Sequence, residues 1–143
     1  MRFEFSAGGV VFKKDKKKLH ILVAQHSYHH GWVFPKGLIG DKIEGESKES
    51  TAVREVEEET GIKAKIVEAL EPVTYWFKFN EEKIKKTVYY FVMEFESGDT
   101  TEHDFEMEDV KWIDQGKVLE KLTFKSDKEV FKKALPIIQS LLK

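Results

Sequence analysis

A mixed β-sheet sandwiched between helices, of the α/β (α+β) class, is what this sequence predicts, and three observations carry the prediction. Runs rich in aromatic and β-branched residues recur at 3–12, 19–25, 73–79 and 87–95, which is the composition of strands. One well-capped helical stretch, over about 47–60, interrupts them. A second, from Ser126 onward, carries an apolar stripe at helical spacing. Strands and helices interleaved in this way bury their apolar faces best as layers. The 143 residues suit one domain, 1–143, with a single core.

Taken in order, residues 3–12 read as a strand in which Gly8-Gly9 marks a bulge or a close backbone approach. The lysine-rich 13–18 segment reads as a solvated turn, and 19–25 as the returning strand. Residues 27–31 form a loop whose His29 and His30, as sequence neighbours, point different ways and read as surface residues. In the central helix, Ser47 is a good N-cap and Gly61 a good left-handed stop. Ala52, Val53 and Val56 supply its narrow apolar stripe. Strands are expected at 63–67 and 73–79, with a hairpin turn over 80–83 leading to the clearest strand, 87–95. A polar loop (98–104) and a short strand (110–113) follow, and Asp114 caps a brief helix through Leu119. The last helix presents Val130, Phe131, Ala134, Ile138, Leu141 and Leu142 on one stripe. Pro136 is expected to interrupt and kink it, because its ring clashes with the Lys132 carbonyl.

Composition narrows the function classes. A formal net charge of −2 offers no basic field for nucleic acid. The absence of cysteine excludes disulfides and thiolate metal sites. No basic-then-apolar leader is evident, and no apolar run approaches the ~20 residues that a membrane helix needs. The expectation is a cytoplasmic protein, monomeric or weakly dimeric, that binds neither nucleic acid nor membrane.

The chemistry concentrates at the end of the central helix. Glu55, Glu58 and Glu59 stand at i, i+3 and i+4, so their carboxylates share one face. They lie at the negative end of the helix dipole, where cations are preferred. Three anions so placed need a counter-ion. Arg54, one of only two arginines, directly precedes them, and its planar fork grips carboxylates in a way lysine does not. Glu46, ahead of the helix, is a partner for it. A glutamate cluster without His or Cys at ligand spacing selects Mg²⁺ or Mn²⁺.

Gly40, Glu46, Arg54, Glu55, Val56, Glu58, Glu59, Gly61 and Ile62 together match the Gly-x5-Glu-x7-Arg-Glu-(apolar)-x-Glu-Glu-x-Gly-(apolar) signature at every specified position. In this the sequence resembles the Nudix hydrolases. Pro35-Lys36-Gly37 extends the likeness upstream, although Gly37 precedes Gly40 by three residues, as though the loop were lengthened. The resemblance implies an α/β/α sandwich and Mg²⁺- or Mn²⁺-dependent hydrolysis of a phosphoanhydride in a small nucleotide. It implies Glu55, Glu58 and Glu59 as metal ligands, with a backbone carbonyl of Gly37 or Gly40, and Glu58 as catalytic. Arg54 and Glu46 would hold loop and helix in register. The family's further glutamate from outside the signature corresponds best to Glu106, six residues before Trp112, with Glu102 and Glu108 as rivals.

Ser6-Ala7-Gly8-Gly9-Val10, Tyr75-Trp76 and Lys86-Thr87-Val88-Tyr89-Tyr90 are similar, more loosely, to the asymmetrically cleaving diadenosine tetraphosphate hydrolases, which yield ATP and AMP. That likeness implies Tyr75 and Tyr89 at adenine, and Lys85 with Lys36 at phosphate. A MutT-like nucleoside triphosphate pyrophosphohydrolase and a non-catalytic nucleotide sensor are the alternatives.

Overall fold

The computed structural model describes residues 1–143. Eight strands form one mixed sheet: β1 (Arg2–Asp15), β2 (Lys18–His26), β3 (Trp32–Val33), β4 (Lys36–Leu38), β5 (Ile62–Ala69), β6 (Val73–Phe79), β7 (Glu82–Gly98) and β8 (Met107–Asp114). Three helices accompany it: α1 (Lys48–Thr60), the single-turn α2 (Val118–Lys121) and α3 (Lys125–Leu141). The central path runs β3-β2-β1-β7-β5, with β4 on β1, β6 on β7 and β8 on β2. β1 and β7 are parallel, and the other pairings are antiparallel. No helix is long and apolar enough to cross a membrane.

Side-chain alternation divides the core between the two sheet faces. Val88, Tyr90 and Val92 of β7 join Val10 and Phe12 against α3, whose Val130, Phe131, Ala134 and Ile138 are buried. Phe91 and Met93 join Ala7 and Val11 against Ala52 and Val56 of α1. The sheet is therefore a filling between α1 and α3, as expected.

The hairpin of β1 and β2 parts as it leaves its turn, and this splay creates room for a site. The two strands pair only through Phe12–Asp15 and Lys18–Ile21. Beyond that, Ser6–Gly8 of β1 pairs with β4, and Ala24–Gln25 of β2 pairs with β3. Gly8 marks a close approach rather than a bulge, since a Cβ there would lie 2.1 Å from the Pro35 carbonyl oxygen.

Several local expectations are corrected. The strands run longer than their apolar centres, because pairing holds their lysine-rich ends. The turn after β6 is two residues, Asn80-Glu81, both at positive φ, the conformation a tight hairpin requires. Asp114 caps a 3-10 turn (Gln115–Lys117) that precedes α2, accepting from Gly116 N–H. α3 continues through Pro136, which lies on its exposed side, and Leu141 is exposed rather than part of the buried stripe.

Candidate active site

α1 is built as its caps require. Ser47 Oγ accepts from Ser50 N–H at 3.1 Å, and Gly61 closes the helix at φ +78° with its N–H on the Glu57 carbonyl at 2.8 Å. A Cβ on Gly61 would also meet the Asp99 carbonyl oxygen at 2.2 Å. Between the caps, Ala52 and Val56 are fully buried and fix the helix against the sheet. That orientation buries Glu55 and Glu59 (4% and 2% exposed) and leaves Glu57 in solvent.

Arg54 binds three of the glutamates. Its Nε and Nη2 donate to Glu46 at 3.0 and 2.8 Å, and its Nη1 donates to Glu55 and Glu58, each at 3.0 Å. Thr51 Oγ1 adds a bond to Glu46 at 2.8 Å. The Arg54 guanidinium holds the Glu46 carboxyl down at about 2, and the Glu46 hydrogen bonds in turn raise Arg54. Lys42 Nζ donates to Glu58 at 2.7 Å. Burial alone would raise Glu58, but the bonds from Lys42 and Arg54 outweigh it and hold its carboxyl below the usual range.

Glu55 and Glu59 differ. Burial pushes Glu55 up, against the pull of Lys42 and Arg54. Burial raises Glu59 well above the ordinary carboxylate range, and the negative charges of Glu55 and Glu106 add to it. Glu59 Oε1 is buried with no hydrogen-bond partner. An orphaned carboxylate oxygen beside a second buried carboxylate fits a hard divalent cation as the missing partner. The three glutamates do not, however, converge on one point: no three acidic or histidine side chains are gathered as a set for a metal. Glu58 is turned instead to Lys42 and Arg54, a rearrangement of the expected triad.

A cavity of about 300 Å³ opens beside these carboxylates, where β1 and β2 part. Its lining carries the acidic Glu55, Glu59, Glu106 and Asp41 together with Lys36, Lys42, Lys86, His26 and His29. Gly37 is packed so tightly under Glu55 that a Cβ would lie 2.1 Å from its carboxyl carbon. Gly40 sits in an open turn at φ +81° with nothing nearby. Of the two glycines named for a metal, Gly37 is thus the one at the carboxylates, held there by pairing with Ala7. Among the three acidic rivals, Glu106 lines the cavity, its carbonyl pinned by Ser27 N–H at 2.9 Å. Glu108 pairs with His30, and Glu102 packs against Gly61.

The base-binding and phosphate-binding expectations on β6 and β7 are only partly met. Lys36 lines the cavity, but Lys85, Tyr75 and Tyr89 do not. Lys85 falls on the opposite sheet face from Val88 and Tyr90, and its Nζ lies 5.5 Å from the Trp76 ring centroid. Tyr89 lies under Lys48, 4.7 Å from its Nζ, and Tyr75 packs into the α3-side core beside Phe77. Lys86, one residue on from Lys85, is the lysine of this strand that reaches the cavity.

Among the lining residues that sequence reasoning missed are two histidines. His26 and His29 stack at 4.2 Å between centroids and 10° between planes. Their Nδ1 atoms accept backbone N–H groups of Tyr28 and Gly31 at 3.1 and 3.0 Å. Each neutral ring therefore keeps its proton on Nε2 as a donor. Burial lowers both pKa values, with Lys36 adding to the effect. Only the turn joining His26 to His30, closed by a 2.8 Å backbone bond, brings the rings together.

Known proteins fit this architecture. The family described as NUDIX domain matches residues 2–134. A Mycobacterium tuberculosis protein carrying the mutator name MutT4 is 34% identical over 110 residues, covering 77% of this chain; the chain spans only 43% of that relative's length. Among solved structures, the Caenorhabditis elegans Ap4A hydrolase binary complex superposes with a TM-score of 0.70 at 20% identity, covering 96% of this chain and 98% of that one. The NUDIX domain of Shewanella oneidensis NrtR, complexed with ADP ribose, gives 0.75 at 21% identity, covering 96% and 89%. At those identities the two structures speak for the fold alone. The family match spans nearly the whole sequence, and on it the chain belongs to the NUDIX domain family.

Proposed function

We propose that this chain hydrolyses a phosphoanhydride in a nucleoside diphosphate linked to another moiety, and that its substrate is diadenosine tetraphosphate, cleaved asymmetrically to ATP and AMP in the cytoplasm. One observation carries the reading: a single cavity is lined both by buried carboxylates, Glu55 and Glu59, the latter with an unpartnered oxygen, and by Lys36 and Lys86. A polyphosphate satisfies both sets of charges only when cations stand between it and the carboxylates. Members of the family generally use divalent metals such as Mg²⁺ or Mn²⁺. When bound, such an ion neutralises phosphate oxygens and acidifies a water molecule.

The chain's own residues divide the remaining work. Glu55, Glu59 and Glu58 would hold the ion, Glu58 being bonded to Lys42 and Arg54 without it. Glu106, at the rim, orients the attacking water. Lys36 and Lys86 bind phosphate oxygens, and His26 and His29 offer Nε2–H donors beside them. Arg54 and Glu46 position α1 against the preceding loop. The likeness of Ser6-Ala7-Gly8-Gly9-Val10, Tyr75-Trp76 and Lys86-Thr87-Val88-Tyr89-Tyr90 to the diadenosine tetraphosphate hydrolases supports the dinucleotide reading.

The identity to the MutT4 relative supports a second reading, a nucleoside triphosphate pyrophosphohydrolase releasing pyrophosphate. A panel of dinucleoside polyphosphates and dNTPs, with Mg²⁺ and with chelator, separates the readings by product chromatography. ATP and AMP from diadenosine tetraphosphate are expected. Rapid dNTP cleavage with the dinucleotide left intact supports the second reading, and binding without turnover of any substrate leaves only a nucleotide sensor.

A further inference from the structure

We propose that β6 is a self-association edge, along which two copies of this chain pair antiparallel about Trp76 to form a weak dimer with one continuous sheet. β6 pairs with β7 on one side only, so its other edge presents seven residues of unpaired backbone. An exposed edge rich in large apolar side chains is a template for another strand. Here Trp76, Phe77 and Phe79 are 49, 37 and 61% exposed.

The sequence of β6 selects the second copy as the occupant. A two-fold axis normal to the sheet keeps each residue on its own face, so opposed residues must have numbers of like parity. Of the registers this allows, only the one centred on Trp76 pairs all seven residues. It sets Trp76 against the partner's Trp76, Tyr75 against the partner's Phe77, and Val73 against the partner's Phe79. Aromatic and aromatic–β-branched cross-strand pairs of this kind are the favourable ones. Lys78, the only charged residue of β6, then faces the partner's Thr74 rather than a second Lys78. Pro72 and the positive-φ Asn80 end the pairing on either side.

The three aromatic side chains offer about 300 Å² per copy, taking ~200 Å² for a whole side chain. That is well under the ~800 Å² per partner of a stable complex, so the dimer forms only at high protein concentration. The cavity lies elsewhere, lined by no β6 residue, and stays open in the pair.

The chain has no cysteine, so introduced thiols report position without interference. Sedimentation equilibrium of the unaltered protein is expected to show a concentration-dependent monomer–dimer equilibrium, weakened at least ~10-fold in Trp76→Glu, where two carboxylates would be opposed. Thr74→Cys and Lys78→Cys keep every aromatic. Under mild oxidation, a mixture of the two is expected to give a disulfide-linked dimer, and each alone is not. A monomeric mass up to millimolar protein would overturn the proposal. So would an equilibrium unchanged in Trp76→Glu, or linking as efficient in either cysteine variant alone as in the mixture.

Discussion

Gly37→Ala separates the requirements of folding from those of catalysis. The new Cβ would lie 2.1 to 2.5 Å from all three atoms of the Glu55 carboxyl group. Neither backbone can yield, since β4 is paired to β1 and Val56 and Ala52 anchor α1 in the core. The obstacle is the far end of a flexible side chain, so the fold relieves the clash by swinging Glu55 aside. The stability cost therefore falls at the low end of overpacking, about 1 kcal/mol, or roughly 3 °C in Tm for a chain of this size. The carboxylate, however, must retreat by more than 1 Å to reach ordinary contact distance. A displacement of about 1 Å in a catalytic arrangement costs on the order of 10²-fold in rate. Steady-state kcat across a Mg²⁺ titration, beside a thermal melt, makes the measurement. Gly40→Ala is the control: its positive φ costs about 1 kcal/mol of backbone strain, but it touches no carboxylate and should keep kcat. A Gly37→Ala enzyme with kcat and Mg²⁺ dependence both unchanged would refute the placement of Glu55 at the working centre.

Other outcomes follow from the same geometry. Glu59→Gln replaces a carboxyl whose ionisation burial opposes, so in chelator the variant should melt at least as high as the parent, while Mg²⁺ no longer raises its Tm and kcat falls at least ~10²-fold; a clearly lower melting temperature in chelator would contradict it. Glu46 titrates at about 2 rather than the ordinary 4.5, so its contribution is present above pH 4.5 and is lost as pH falls from there toward 2. That depression corresponds to about 3 kcal/mol, and partial screening of the Arg54 partner, which is 17% exposed, leaves about 1–2. Chemical denaturation against pH should accordingly show Glu46→Gln less stable than the parent at neutral pH, with the gap closing near pH 2. Lys86→Gln should raise KM for the polyphosphate about tenfold, the scale of one charge-assisted bond, and Lys85→Gln should leave it alone. The reverse pattern would mean that β7 presents the other face to the cavity, and equal effects that neither lysine is the specific phosphate contact.

What could be read in the chain beforehand was whatever local chemistry decides. Ser47 and Gly61 bound α1 because capping is a property of neighbouring residues, and the spacing of Glu55, Glu58 and Glu59 is helical geometry. What could not be read depended on partners distant in sequence. Lys85 and Lys86 are equivalent until it is known which face of β7 meets α3. Gly37 outranks Gly40 only because β4 pairs with β1 and passes beneath Glu55. His26 and His29 come together through the turn from His26 to His30, which is tied down by Ser27 Oγ donating to the Phe105 and Glu106 carbonyls. Glu58 is drawn from its neighbours by Lys42, sixteen residues earlier. Local chemistry has Pro136 interrupt and kink α3, yet the helix runs on through it to Leu141.

The parallel pairing of β1 with β7 has a consequence for synthesis. Phe3 aligns with Lys85 and Phe12 with Glu94, so the first strand made waits for a neighbour some eighty residues later. Such distant closure is slow. Until β7 emerges, β1, with Val10, Val11 and Phe12 that end wholly or almost wholly buried, can pair only with β2 and β4 and pack against α1, so the edge meant for β7 stays open. A chain stalled before β7 would present that open edge to any chaperone within reach.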